Sequence, residues 1–233
     1  MQPLISIIIP TFDEEKDLGK LLERLKAYSP SENIEILVAD GGSNDLTCSI
    51  AEAWEATVFK SPLKGRAYQM NYAAAKARGR TLYFVHADTM PPKSFFSDVI
   101  GALDKGYRAG CFRFIFDGGP CLLKINAFCT RFKGLPFRGG DQTLFIDKSL
   151  FDSLGGYDET YVIMEEYDLI RRVERENVFH IIPKNVLVSA RKYYDNSYLR
   201  VTFANYLAMK MFLHSEKPEK IAVTYRSNLK SLR

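Results

Sequence analysis

The chain has 233 residues, a formal net charge of +4, 46% hydrophobic and 26% charged residues, which fits one globular α/β domain with a large core and excludes long disorder. The mild charge, with no basic stripe, excludes nucleic acid as an expected partner. Cys48, Cys111, Cys121 and Cys129 form no CxxC pair, so they read as reduced thiols of a cytoplasmic protein and imply no zinc site.

Met1-Gln2-Pro3 runs directly into Leu4-Ile5-Ser6-Ile7-Ile8-Ile9, without the basic stretch and small-residue cleavage site of a secretory leader. The apolar run is too short to span a bilayer and predicts a buried strand over 5–10. A helix over 14–27, a strand over 34–39 and a helix over 46–54 follow, and this rhythm predicts a parallel sheet. A short strand over 57–59 leads through Ser61-Pro62-Leu63-Lys64-Gly65 to a helix over 66–77, then to the apolar strand Leu82-Tyr83-Phe84-Val85. Pro91-Pro92-Lys93 signals another helix start, and the alternation stays regular up to Leu103.

From Gly106 the pattern changes to short strands, 110–116 and 143–146, with glycine turns at Gly118-Gly119 and Gly139-Gly140. A helix over 165–176, opened by acidic residues that suit the positive end of a helix, precedes strands over 178–182 and 186–189. A last helix over 197–214, opened by Ser197 and closed by His214, gathers Leu199, Phe203, Tyr206 and Leu213 near one face. With Arg200 and Lys210 among its apolar residues, it is suited to a membrane surface, to covering a site, or to plain packing on the domain. Polar residues interrupt it too often for a transmembrane span. The class expected is α/β, a mostly parallel central sheet flanked by helices with a mixed second half.

Ligands of open α/β sheets bind in the crevice beyond the carboxyl ends of the strands. The strand at 82–85 runs into His86-Ala87-Asp88-Thr89, and on extended chain His86 and Asp88 point the same way. A hard cation shared between a carboxylate and phosphate oxygens suits Asp88, while capping of the helix signalled by Pro91-Pro92 is the structural alternative. The first strand ends in Pro10-Thr11-Phe12-Asp13-Glu14-Glu15 and the second in Asp40-Gly41-Gly42-Ser43-Asn44-Asp45. Gly41-Gly42 permits a sharp turn and close approach to a ligand, Asp40 is able to accept hydrogen bonds from a base edge or a ribose, and Asp45 is placed as an N-cap.

These two strand-and-loop segments, 5–15 and 38–45, resemble the opening of the family 2 glycosyltransferases, inverting enzymes with a nucleotide-sugar-binding GT-A fold. His86-Ala87-Asp88 falls where that family carries its Asp-x-Asp metal motif, and Glu165-Glu166-Tyr167-Asp168-Leu169 where it carries the acidic pair that includes the catalytic base. The resemblance extends over about 4–189. Gly65-Arg66-Ala67-Tyr68-Gln69-Met70-Asn71, His86-Ala87-Asp88-Thr89, Gly140-Asp141-Gln142 and Ser189-Ala190-Arg191 further resemble the bacterial subgroup named "transferase 2, radical-SAM/selenodomain-associated".

The resemblance implies a single glycosyltransferase domain over 1–233: a nucleotide-binding half over 1–105, an acceptor and catalytic half over 106–192, and a C-terminal helical extension over 193–233. Phe12 would stack on the base and Asp40 hydrogen-bond it, with Thr11, Glu14 and Ser43 lining the nucleoside pocket. Arg66 is placed to meet the diphosphate, since guanidinium pairs with phosphate in bidentate fashion, and Asp141 the donor sugar or the acceptor. Asp88, with His86 where the family has its first carboxylate, would hold Mn²⁺ or Mg²⁺; imidazole suits Mn²⁺ better. Glu166 is the expected base, with Glu165 and Asp168 as alternatives.

The function expected is metal-assisted, inverting transfer of a sugar from a nucleoside diphosphate sugar to a hydroxyl acceptor, in the cytoplasm or peripherally at the inner face of the membrane. A nucleotidyltransferase is the rival enzyme, although it calls for a glycine-rich basic loop after the first strand, and here that loop is acidic. A non-catalytic nucleotide-sugar-binding protein is the other alternative.

Overall fold

The computed structural model describes residues 2–230; Met1 and residues 231–233 of the expected C-terminal extension lie outside the described residues. The first half alternates β1 (Ile5–Thr11), α1 (Leu18–Ala27), β2 (Ile34–Asp40), α2 (Thr47–Ala53), β3 (Thr57–Lys60), α3 (Arg66–Ala74) and β4 (Thr81–Phe84). A two-residue β5 (Thr89–Met90) and α4 (Phe95–Asp104) follow. The second half contains β6 (Ala109–Phe116), α5 (Leu123–Cys129), β7 (Leu144–Asp147), α6 (Lys148–Ser153), α7 (Glu165–Glu174) and β8 (Phe179–Val188). It closes with α8 (Lys192–Asp195), α9 (Tyr198–Leu213) and α10 (Pro218–Ser227).

The eight strands of the described residues join one sheet in the order β3-β2-β1-β4-β7-β6-β8-β5. The β3-β2-β1-β4 half is parallel, with β1 running in register beside β2 from Ile5↔Ile34 to Thr11↔Asp40. β7 then inserts antiparallel between β4 and β6, which makes the second half mixed, as its short strands and glycine turns predict. β1 alternates its isoleucines between the two faces. Ile8 joins the layer that holds α3, α7, α9 and α10, while Ile7 and Ile9 join the layer of α1, α2 and α4. All three are fully buried, each contributing about 1.5–3 kcal/mol of burial.

Several expected bounds shift for physical reasons. The helix expected from residue 14 begins at Leu18, because residues 13–15 form a turn bonded across to the β2–α2 loop. The two strands expected at 178–182 and 186–189 are one, β8. Its β6 partnership jumps from Ile182 to Asn185, which accommodates Pro183, a residue with no N–H to give to a ladder. Asp88 is not a helix cap, since α4 starts only at Phe95 after Ser94. Among the described residues no helix is long and apolar enough to cross a membrane, and the four cysteines are free.

Candidate active site

The parallel half brings Thr11, Asp40 and the β4 end at His86 side by side at the carboxyl edge of the sheet. The N-terminus of α7 faces this edge through the contact of Glu166 with His86, and Arg191, just past β8, reaches in from the far side of the sheet. A separate cavity of about 630 Å³, lined by Gln2, Arg78, Arg80 and Lys148, lies at the opposite end of β1 and β4, away from the paired carboxylates.

Asp40 is buried and organises its own loop. Its Oδ2 accepts from the backbone N–H groups of Gly42 (2.9 Å) and Ser43 (3.0 Å), and its Oδ1 from the hydroxyls of Ser43 and Thr11. Burial pushes this carboxyl up, but the Ser43 and Gly42 hydrogen bonds outweigh it and leave the pKa lowered. Gln69 of α3, also buried, donates its Nε2 to the carbonyls of Thr11 (2.8 Å) and Ala39 (2.6 Å), locking the ends of β1 and β2 together. Gly41 lies directly against that amide, where a Cβ would come within 3.1 Å of Gln69. Across the loops, Ser43 Oγ accepts from Asp13 N at 2.9 Å, and Asp13 adopts φ 55° to make the turn. Phe12 is not core: it is 46% exposed, with Lys64 Nζ 4.8 Å from its ring centroid.

The acidic start of α7 separates into three different environments. Glu165, fully buried, pairs with Arg66 Nε at 2.9 Å across the crevice. Burial raises its pKa, with Arg66 opposing and the like charge of Glu166 adding to the rise. Glu166, also buried, hydrogen-bonds through Oε1 to His86 Nε2 at 3.1 Å. Burial pushes it up too, but Arg66 and the His86 hydrogen bond outweigh that and hold it well below the usual carboxylate range. Burial in turn lowers His86, but Glu166 more than offsets this and raises it. Two neighbouring carboxylates are thus driven apart, one towards the neutral acid and one held as a base. Asn71 of α3 braces the approach to α7, donating to the carbonyl of Tyr157 and accepting from its N–H at 2.8 and 2.9 Å.

Three of the expected site residues have partners within the chain. Asp168 is held by Arg171 at 2.9 Å and by Arg172 Nε at 2.9 Å, and Arg172 in turn donates to the carbonyls of Leu154 and Gly156. His86 Nε2 is engaged by Glu166. Both oxygens of Glu14 are engaged by Arg191 at 2.9 Å.

Arg191 gathers carboxylates, standing 3.2 Å from Asp88 Oδ2 and 3.6 Å from Asp17 in addition to Glu14. Asp88 is raised by burial, against the opposing pull of Arg191 and His86. Asp141 lies exposed in a single 3₁₀ turn, Gly140–Gln142; its charge raises Arg66, His86 and Asp88 alike, which places it among them. Among the described residues no three His, Cys, Asp or Glu side chains converge as a ready-made metal cage. Gln69 and Arg191 are the site residues that sequence reasoning missed as such, although each stands in a stretch quoted for the subgroup likeness. A polar residue in the first turn of α3, and a cation directly after a strand, were the available signals.

A mostly parallel α/β sheet with paired acids facing its carboxyl edge is the architecture of the GT-A glycosyltransferases. The sequence matches the glycosyl transferase family 2 over residues 6–151, and the chain belongs to that family. It is 27% identical over 183 residues to the uncharacterized glycosyltransferase Rv1514c of Mycobacterium tuberculosis (strain ATCC 25618 / H37Rv), covering 73% of this chain and 68% of that protein. Among solved structures it resembles S. aureus TarS 1-349 in complex with UDP-GlcNAc, with a TM-score of 0.69 at 18% identity over 88% of this chain. It also resembles the mannosyltransferase PcManGT of Pyrobaculum calidifontis in complex with GDP-Man and Mn2+, with a TM-score of 0.67 at 18% identity, covering 97% of this chain and 69% of that one. The chain spans 64% of the TarS chain.

Proposed function

We propose that the protein transfers a sugar from a nucleoside diphosphate sugar to a hydroxyl acceptor with inversion, using Glu166 as general base. The observation that carries this reading is the His86–Glu166 pair. A buried carboxylate is held ionised at the carboxyl edge of a family 2 sheet, where it is fit to take a proton from an attacking hydroxyl. Exposed Phe12 offers a stacking face to a base, and half-exposed Arg66 offers a cation to the diphosphate. Asp40 shapes the loop around the nucleoside, and Asp141 faces the donor sugar or the acceptor.

The division of labour follows the chain: a nucleotide half over 1–105, a catalytic and acceptor half over 106–192, and a helical extension after it. The subgroup likeness is part of the same reading, because Arg66, His86 and Asp141 act on one another here and Arg191 meets Asp88 of the His86 stretch. The outer face of α9 supports a peripheral position at the inner face of the membrane.

For a divalent cation, the fit rests on charge. Glu14, Asp17 and Asp88 surround a single guanidinium, an excess of hard oxygen donors that suits Mn²⁺ or Mg²⁺. Asp88 would hold it. When bound, such an ion neutralises the charge that develops on a leaving nucleoside diphosphate.

The test is turnover with a panel of UDP-, GDP- and dTDP-sugars, with and without Mn²⁺, against simple hydroxyl acceptors. Release of nucleoside diphosphate with an inverted product from at least one donor is expected; donor binding without turnover across the panel would overturn the catalytic reading.

A further inference from the structure

Helix α9 is apolar on both sides. Val201, Ala204, Ala208 and Phe212 are buried against the domain, yet Leu199 is 74% exposed, Phe203 54% and Tyr206 59%. Large apolar side chains left on the outer face of a helix whose inner face already packs on the domain suit contact with another apolar phase, and α9 is not long and apolar enough to cross a bilayer. Nearby, α5 and the turns after it display a second apolar stripe. Ile125, Phe128, Phe132 and Phe137 stand exposed, with ring centroids 5.7 Å apart for Phe128–Phe132 and 5.6 Å for Phe132–Phe137. The two helices are joined where Tyr198 Oη, at the start of α9, donates to Asn126 Oδ1 of α5 at 3.0 Å. Between α5 and β6 runs a groove of about 440 Å³ with apolar walls from Phe114, Phe116, Leu123 and Phe128.

Within the two stretches that carry these stripes the charge has one sign, with Asp117, Asp141, Asp195 and Glu216 just outside them. Residues 118–140 contain Lys124, Arg131, Lys133 and Arg138 with no Asp or Glu, and residues 196–215 contain Arg200 and Lys210 with none either. Arg138 is buried and braces the loop from inside, donating to the carbonyls of Thr130 and Phe132; the other five cations are exposed. Arg131 lies 3.8 Å from the Phe128 ring centroid, the mixture of aromatic and basic groups that lies in a membrane interface.

We propose that the α5 stripe and the outer face of α9 form one docking surface for an anionic lipid bilayer. Apolar side chains enter the headgroup boundary while the cations meet lipid phosphates and carboxylates. A second copy of the chain fits less well, because pairing this face with itself would set like charges against one another. This inference does not depend on sugar transfer.

The experiment is co-sedimentation of the full chain with phosphatidylcholine vesicles and with vesicles containing phosphatidylglycerol, alongside its mass in solution by light scattering. Binding to the anionic vesicles that weakens with added salt, and that falls about tenfold or more in Phe128→Ser/Phe203→Ser, is the expected result. Both substitutions lie at exposed positions, so the melting temperature should be kept, and a single Phe203→Ser chain gives the same test should the double variant fold poorly. No binding to either vesicle, equal binding to both, or a dimer that these variants dissociate would each overturn the proposal.

Discussion

His86 Nε2 lies 3.1 Å from Glu166 Oε1, and both side chains are withdrawn from solvent. The imidazole orients one carboxylate oxygen and helps keep the group charged, leaving the other oxygen for a hydroxyl. Glu166→Gln retains the shape and a hydrogen-bonding partner for His86 but cannot accept a proton. Steady-state kinetics should show turnover reduced by about 10²-fold or more with donor affinity nearly kept; wild-type turnover would remove Glu166 from the base role.

The same pair makes stability depend on pH in a defined direction. His86 is raised from 6.5, so its contribution is complete below that value and is lost as pH rises through the higher folded value. Glu166 is lowered from 4.5, so its contribution is present above that value and is lost as pH falls through the lower folded one. The pair is worth most between these two ordinary values. The raised carboxyl of Glu165 works the other way, costing stability as it ionises, but it is present in wild type and variant alike. Thermal melts of wild type and His86→Gln should therefore differ most between pH 4.5 and 6.5 and converge above it. A difference that keeps growing as pH rises above 6.5 would contradict a charged His86.

Arg66 pairs with the buried Glu165 carboxyl and, in the proposed function, meets the donor's diphosphate. Arg66→Met should lower the melting temperature, because Glu165 then has no cation beside it, and should weaken UDP binding by about tenfold or more. Adding Glu165→Gln to the same chain removes the stranded charge. Calorimetry should then find stability recovered and UDP affinity still low; recovery of both would make Arg66 a structural residue only.

How far the sequence reveals this arrangement depends on how local each signal is. The β1 to β4 half is legible because every strand and helix carries its own apolar period, and Gly41-Gly42 and Asp40 announce a loop on their own. The β8 break at Pro183 reads as two strands, since a bulge needs its β6 partner to be recognised. In α7, Glu165, Glu166 and Asp168 look equivalent in sequence, and their partners tell them apart: Arg66 and His86, far along the chain, for the two glutamates, and the Arg171–Arg172 pair one turn on for Asp168. Arg191 meets Glu14 across 177 residues, a separation that no periodicity reports.

That long-range contact sets the terms for any divalent cation. Arg191 stands 3.2 Å from Asp88 and engages both oxygens of Glu14, so the carboxylate expected to hold a metal already has a positive partner. In the absence of nucleotide, a metal must compete with a tethered guanidinium, and the wild-type chain should gain little thermal stability from Mn²⁺ alone. Arg191→Met leaves Glu14, Asp17 and Asp88 facing one another without that cation, which should lower the melting temperature through like-charge repulsion. Mn²⁺ then replaces the missing charge, and a ligand bound only by the folded chain raises its apparent stability. The Mn²⁺-induced shift should therefore be larger in Arg191→Met than in wild type, and should vanish in Arg191→Met/Asp88→Asn. Equal shifts in all three chains would place metal binding elsewhere and leave Asp88 as the partner of Arg191 alone.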